Sequence, residues 1–101
     1  MKVGILGSGI VAQSLGAGFL KYNYETMLGT REKEKLKDWQ SKHPAGKLGS
    51  FNEAAAFGDI IVLAVKGSAA KGVIESLKGI LNGKTVIDAT NPIADTAPEN
   101  G

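Results

Sequence analysis

Apolar residues fall in short runs along this chain, and the stretches between the runs repeat their apolar positions at helical spacing. The first run, Lys2–Leu6, is ended by glycines, as expected for a buried parallel strand. From about residue 10 to 22, Val11, Leu15 and Phe19 recur every four residues and predict a helix with one face on a sheet. The small residues Ala12, Gly16 and Gly18 should allow close approach. Residues 25–28 read as a second strand. Residues 32–42 read as a charged amphipathic helix with Leu36 and Trp39 on one side, ended by His43-Pro44. A third strand is expected near residues 47–50, followed by a short helix over 52–57 with Asn52 or Ser50 as its cap. The run Ile60-Ile61-Val62-Leu63-Ala64-Val65, introduced by Gly58-Asp59, is the clearest buried strand. A helix over about 68–80 should turn Val73, Ile74, Leu77 and Leu81 inward. Thr85-Val86-Ile87-Asp88-Ala89 then supplies a fifth strand after the Asn82-Gly83 turn, and residues 90–101 read as loop.

Strands alternating with helices at this spacing imply right-handed crossovers and an open parallel sheet. The expected architecture is α/β, a Rossmann-type doubly wound sheet of five strands in the order 3-2-1-4-5. A chain of 101 residues, 43% hydrophobic and 22% charged, has the length for one such domain over residues 1–101. The formal charge of +2 comes from 12 basic and 10 acidic residues that are interspersed, which points away from nucleic acid and from an anionic membrane surface and towards a small-molecule partner. With no cysteine, disulfides, thiolate metal sites and cysteine nucleophiles are excluded, and the composition is compatible with the cytoplasm. One histidine makes metal chemistry a poor expectation, and the early glycines interrupt any signal or membrane-spanning segment.

A parallel α/β sheet binds ligands at the carboxyl ends of its strands, above all where the strand order reverses, so the loop after the first strand is the first place to look. That loop is Gly7-Ser8-Gly9-Ile10-Val11-Ala12. Gly7 permits the tight turn, Gly9 lets backbone approach a pyrophosphate, and Ala12 stands where a small residue packs helix against strand; the helix N-terminus offers amides to the phosphates. About twenty residues on, an NAD site usually ends its second strand in an acid that binds the ribose 2′-hydroxyl. Here the strand ends Gly29-Thr30-Arg31. Thr30 can donate a hydrogen bond to a 2′-phosphate and Arg31 can offer it a charged fork, with Lys33 or Lys35 adding positive potential, so the pattern favours NADP(H) over NAD. Two alternatives stand beside it: Arg31 simply opens a solvated helix, and Glu32 serves a ribose hydroxyl.

The next strand end, Ala64-Val65-Lys66, faces the glycine loop across the reversal, where Lys66 either reaches a ligand anion or is solvated. At the fifth strand end, Asp88-Ala89-Thr90-Asn91-Pro92 sets polar groups beside the same crevice. Asn91 is held extended by Pro92 and serves either the ligand or a loop hydrogen bond, and Asp88 either shares that crevice or caps the strand. No acid–base constellation stands near: His43 reads as structural or exposed, and Trp39 and Phe51 as packing residues.

In this order and spacing, Gly7-Ser8-Gly9-Ile10-Val11-Ala12, Gly29-Thr30-Arg31-Glu32, Ala64-Val65-Lys66 and Asp88-Ala89-Thr90-Asn91-Pro92 resemble the N-terminal domain of the deazaflavin-dependent NADP oxidoreductases over nearly the whole chain. The resemblance implies that NADP(H) lies across the glycine loop with its 2′-phosphate read by Thr30 and Arg31. The nicotinamide is then presented to a deazaflavin or flavin for direct hydride transfer, which needs alignment more than a proton donor. It also implies a further strand and a smaller helical region that completes the second-ligand pocket and a homodimer, so the chain reads as a fragment or an unusually short member. The rival expectation is a non-catalytic module that holds NADP(H) for regulation or for a separate catalytic partner.

Overall fold

The computed structural model describes residues 1–65 and 67–89, the side chains of 67–69 excepted. Its elements run β1 (Lys2–Leu6), α1 (Ile10–Lys21), β2 (Glu25–Gly29), a 3₁₀ turn (Lys33–Leu36), α2 (Lys37–Lys42), β3 (Lys47–Gly49), α3 (Phe51–Phe57), β4 (Ile60–Leu63), α4 (Gly67–Ser76), α5 (Lys78–Leu81) and β5 (Thr85–Asp88). All neighbouring strands pair in parallel in the order β3-β2-β1-β4-β5. The expected Rossmann-type topology is therefore observed.

Alternation along the central strands divides the core in two. On one face Val3, Ile5, Leu28 and Val62 pack with Ala12 of α1, Leu36 of the 3₁₀ turn and Trp39 of α2. On the other, Leu6, Ile61 and Leu63 pack with Ala54 and Ala55 of α3 and with Val73, Leu77 and Leu81. Gly4 faces this second layer, where a Cβ would fall 2.1 Å from the Ala54 carbonyl oxygen. The helix α3 is pressed onto β1 at that point.

Helix α1 differs from the expected stripe. Its buried residues are Ala12 and Gly16, with Leu15 and Phe19 flanking them half-buried, whereas Val11 is 45% exposed. The small pair lets the helix lie close to the sheet, and Val11, in the first turn at the open end of the helix, is left exposed where Leu15, one turn further on, packs on the core. A Cβ on Gly16 would meet Leu28 and Trp39 at under 3 Å, but one on Gly18 would meet nothing, so only Gly16 serves close approach. The indole Nε1 of Trp39 donates to the Gln13 carbonyl at 2.9 Å and ties α2 to α1.

The predicted helix over 32–42 opens as a 3₁₀ turn and becomes α-helical only at Lys37, although Leu36 and Trp39 are buried as expected. The predicted helix over 68–80 is likewise two pieces that meet at Leu77. Its buried stripe is Val73, Leu77 and Leu81 at four-residue spacing, and Ile74, one position off that line, is exposed. Of the two possible caps for α3, Ser50 is the one used: its hydroxyl accepts from the Glu53 amide at 3.1 Å, and Glu53 accepts from the Ser50 amide at 2.7 Å. This reciprocal box satisfies two amides at the helix start. Lys84 donates to the Ala55 and Ala56 carbonyls at 2.5 and 3.1 Å, completing the other end of the same helix. Among the described residues no helix is long and apolar enough to cross a membrane.

Candidate functional site

The chain winds one way through β1, β2 and β3 and the other way through β4 and β5, so the order reverses between β1 and β4. Their carboxyl ends open onto a cleft of about 380 Å³ bounded by Gly7, Ser8, Gly9, Thr30, Arg31, Glu32, Lys35, Phe51, Ala64, Val65 and Val73. Seven of the expected site residues thus meet in one place.

Gly7 carries the turn. Its φ is +146°, and a Cβ there would lie 2.4 Å from the Ala64 carbonyl oxygen, so both backbone conformation and space require glycine. The Gly7 amide donates to the Gly29 carbonyl at 2.8 Å and the Ala64 amide to the Leu6 carbonyl at 2.9 Å, which extends the sheet into the turn and fixes three strand ends against one another. Ala12 is fully buried below, 3.5 Å from the position a Gly7 Cβ would take. Gly9, the residue before α1, differs in kind: a Cβ on it would meet no atom of the described residues within 4 Å. It keeps open the approach to the helix N-terminus. Among the described residues no side chain caps that end, and no acid lies in its first turn. The amides of Ile10 and Val11 precede the first intrahelical bond and are available to an anion. Both side chains are exposed, Ile10 at 83%, and neither residue borders the cleft, so what they offer an anion is backbone.

The corner after β2 is made of side chains. Thr30 is only 5% exposed, and its hydroxyl oxygen accepts from the Glu32 amide at 3.0 Å, which folds the chain sharply there. Its hydroxyl proton can still be donated. The Arg31 guanidinium stands 5.5 Å from the centre of the Phe51 ring. Lys35 pairs with Glu32 at 3.2 Å and Lys33 with Glu53 at 3.9 Å, all four side chains well exposed. A second hollow of about 630 Å³, lined by Thr30, Arg31, Lys33, Ser50, Phe51 and Asn52, continues the cleft outward. The amide of Ser50 and the positive charge of Lys33 hold the Glu53 carboxyl below its ordinary pKa.

Phe51, expected as a packing residue, borders the cleft instead. It is half-buried and joins the two hollows rather than only filling the core. The available signal was its place as first residue of a capped helix directly after a strand. Lys66, Asn91 and Pro92 lie outside the described residues. His43 packs on Trp39, with ring centres 5.1 Å apart, and does not line the cleft.

The geometry has counterparts among solved structures. A candidate F420-dependent NADP-reductase from Arthrobacter sp. FB24 superposes with a TM-score of 0.84 at 26% identity, over 91% of this chain and 46% of that one. A pyrroline-5-carboxylate reductase from Coxiella burnetii superposes at 0.74 and 26% identity, over 88% and 34%. The pyrroline carboxylate reductase of Plasmodium falciparum, solved with NADP bound, superposes at 0.72 and 26% identity, over 89% and 33%. The chain thus spans less than half the length of these neighbours. No curated protein matches it. Residues 2–92, nearly the whole chain, match the family described as NADP oxidoreductase, coenzyme F420-dependent, and the chain belongs to that family.

Proposed function

We propose that this chain is the NADP(H)-binding domain of an oxidoreductase that transfers a hydride between NADP(H) and a deazaflavin or flavin coenzyme. The observation that carries the reading is the juxtaposition, in one cleft, of the Gly7 turn with a β2 corner that ends in Thr30 and Arg31 instead of an acid. The chain's own residues fit the group. The turn and the uncapped start of α1 present amides to a pyrophosphate, the space over Gly9 admits it, and Arg31 brings a positive fork to a 2′-phosphate. Ala64 and Val65 offer a backbone edge at the end of β4 against which a nicotinamide ribose can lie. When bound, the nicotinamide supplies or accepts the hydride. The coenzyme F420 of the family's description is a deazaflavin, and this supports the second redox partner. Lys66, Asn91 and Pro92 remain in the proposed dinucleotide set on the strength of the sequence motif. The same reading carries a homodimer in the cytoplasm.

Calorimetric titration with NADPH and NADH tests the cofactor. NADPH is expected to bind at least tenfold more tightly, and Arg31→Ala to remove most of that difference. Equal affinities in the unaltered protein would sink the phosphate argument. Mixing the NADPH-bound protein with oxidised deazaflavin or flavin and following nicotinamide absorbance separates an enzyme from a binding module. Oxidation of NADPH is the expected result, and binding without exchange with either acceptor makes the chain a module.

A further inference from the structure

The corner that reads the ribose contains its own anions, and they are already engaged. Three cations stand there: Arg31, Lys33 and Lys35. Lys35 is held by Glu32 at 3.2 Å and Lys33 by Glu53 at 3.9 Å, so among the described residues Arg31, lying on the Phe51 ring, is the cation of this corner without a carboxylate partner. The two pairs are not equivalent. Glu53 is fixed by the Ser50 amide at 2.7 Å as part of the α3 cap and has a structural task of its own. Glu32 has no such task for its carboxylate: its backbone amide is held by Thr30, while its side chain reaches only along the 3₁₀ turn to Lys35. Both Glu32 and Lys35 border the cleft itself.

We infer that Glu32 is a specificity-determining residue of this site, an internal anion on Lys35 that an incoming 2′-phosphate must displace and that a 2′-hydroxyl need not. The inference rests on the NADP(H) reading above. A phosphate that reaches this corner meets Arg31 directly but gains Lys35 only when the ammonium leaves Glu32, and the carboxylate then stays beside a dianion and repels it. A 2′-hydroxyl carries no charge, leaves the Glu32–Lys35 pair in place and can donate a hydrogen bond to the same carboxylate. Glu32 therefore holds the preference for NADPH below the level that the three cations would set alone. Because both side chains are mostly exposed, the pair exchanges easily and the effect is moderate.

The test is titration of the whole chain, unaltered and as Glu32→Gln, with NADPH and NADH at about 50 mM and again at about 500 mM salt. Glutamine keeps the side-chain length, and the turn-forming amide is untouched. Glu32→Gln is expected to tighten NADPH about three- to tenfold at low salt, to leave NADH unchanged or weaker, and to lose most of the gain at high salt. In a Lys35→Met background the same substitution should give a smaller gain, since the cation to be released is gone. An unaltered protein that binds neither dinucleotide, or binds both equally, overturns the underlying reading. An unaltered protein that prefers NADPH, with Glu32→Gln leaving that affinity unchanged or weaker, overturns this inference alone. A gain of equal size with and without Lys35 overturns the release of Lys35 as its route.

Discussion

The two ends of the cleft are built of opposite materials. At Gly7 the surface offered to a ligand is backbone, fixed by strand-end hydrogen bonds at 2.8 and 2.9 Å and by a φ of +146°. At Arg31 it is side chain, exposed, resting on one aromatic ring and surrounded by ion pairs that exchange with solvent. The first end has a shape and little freedom, and the second has charge and little shape. A pyrophosphate is common to NAD and NADP, so a rigid backbone cradle suits it, whereas the presence or absence of a 2′-phosphate is better read by groups whose sum of charge can be changed one residue at a time.

The contrast is sharpest between the two glycines of the rigid end. Gly7→Ala must enter a conformation that L-residues rarely adopt and place a methyl 2.4 Å from a backbone oxygen, so a loss of roughly 2–4 kcal/mol in unfolding free energy is expected. Urea denaturation measures it. Gly9→Ala places its methyl beyond 4 Å of any atom of the described residues and should unfold within about 1 kcal/mol of the unaltered protein. Dinucleotide affinity in that variant should nonetheless fall about tenfold or more, for NADPH and NADH alike, because in the proposed binding mode the methyl stands where backbone meets the pyrophosphate. If Gly9→Ala bound normally, the cleft would not be used as described.

The same contrast governs what could be read in advance. The strand order, the glycine turn and the burial of Leu36 and Trp39 follow from periodicity and from residues with few physical alternatives, and the sequence states them directly. Val11 and Ile74 are exposed against expectation, because a four-residue repeat defines a stripe without saying how far each of its members is covered. Coverage depends on what lies over each turn, and Val11, in the first turn of α1, is left open while Leu15 and Phe19 further along the same stripe pack on the core. Gly4 is hidden in the sequence inside an apolar run, although its missing side chain is what admits α3. Phe51 reads as a packing residue in the sequence because its contact with Arg31, about twenty positions away, exists only when β2 and α3 are folded.

Smaller effects probe the soft end. Ser50→Ala removes the hydroxyl that caps α3 and should cost about 1 kcal/mol of stability in urea, with the Phe51 ring less well placed. Phe51→Leu keeps an apolar side chain but takes the ring from under Arg31. NADPH should then weaken about two- to fivefold and NADH less, since contacts of a cation with an exposed ring are worth about 0.5–1 kcal/mol. A loss shared equally by both dinucleotides would mean that Phe51 shapes the cleft without steering Arg31.

The smallest expected effect concerns Glu53, which belongs to both worlds, cap of a helix and partner of Lys33. Its carboxyl is held below the ordinary value of 4.5, first by the Ser50 amide and then by the Lys33 charge. A group with a depressed folded pKa binds its proton more weakly in the folded protein than in the unfolded chain. Its contribution to stability is therefore fully present above the unfolded pKa and lost as pH falls through the folded one. Urea midpoints between about pH 6 and pH 3 should decline less steeply in Glu53→Gln than in the unaltered protein, and the two curves should run parallel above about pH 6. Because the carboxylate is exposed, added salt should weaken only the share that comes from Lys33 and leave the hydrogen bond to Ser50, so a pH dependence abolished by salt would assign the shift to charge and not to the cap.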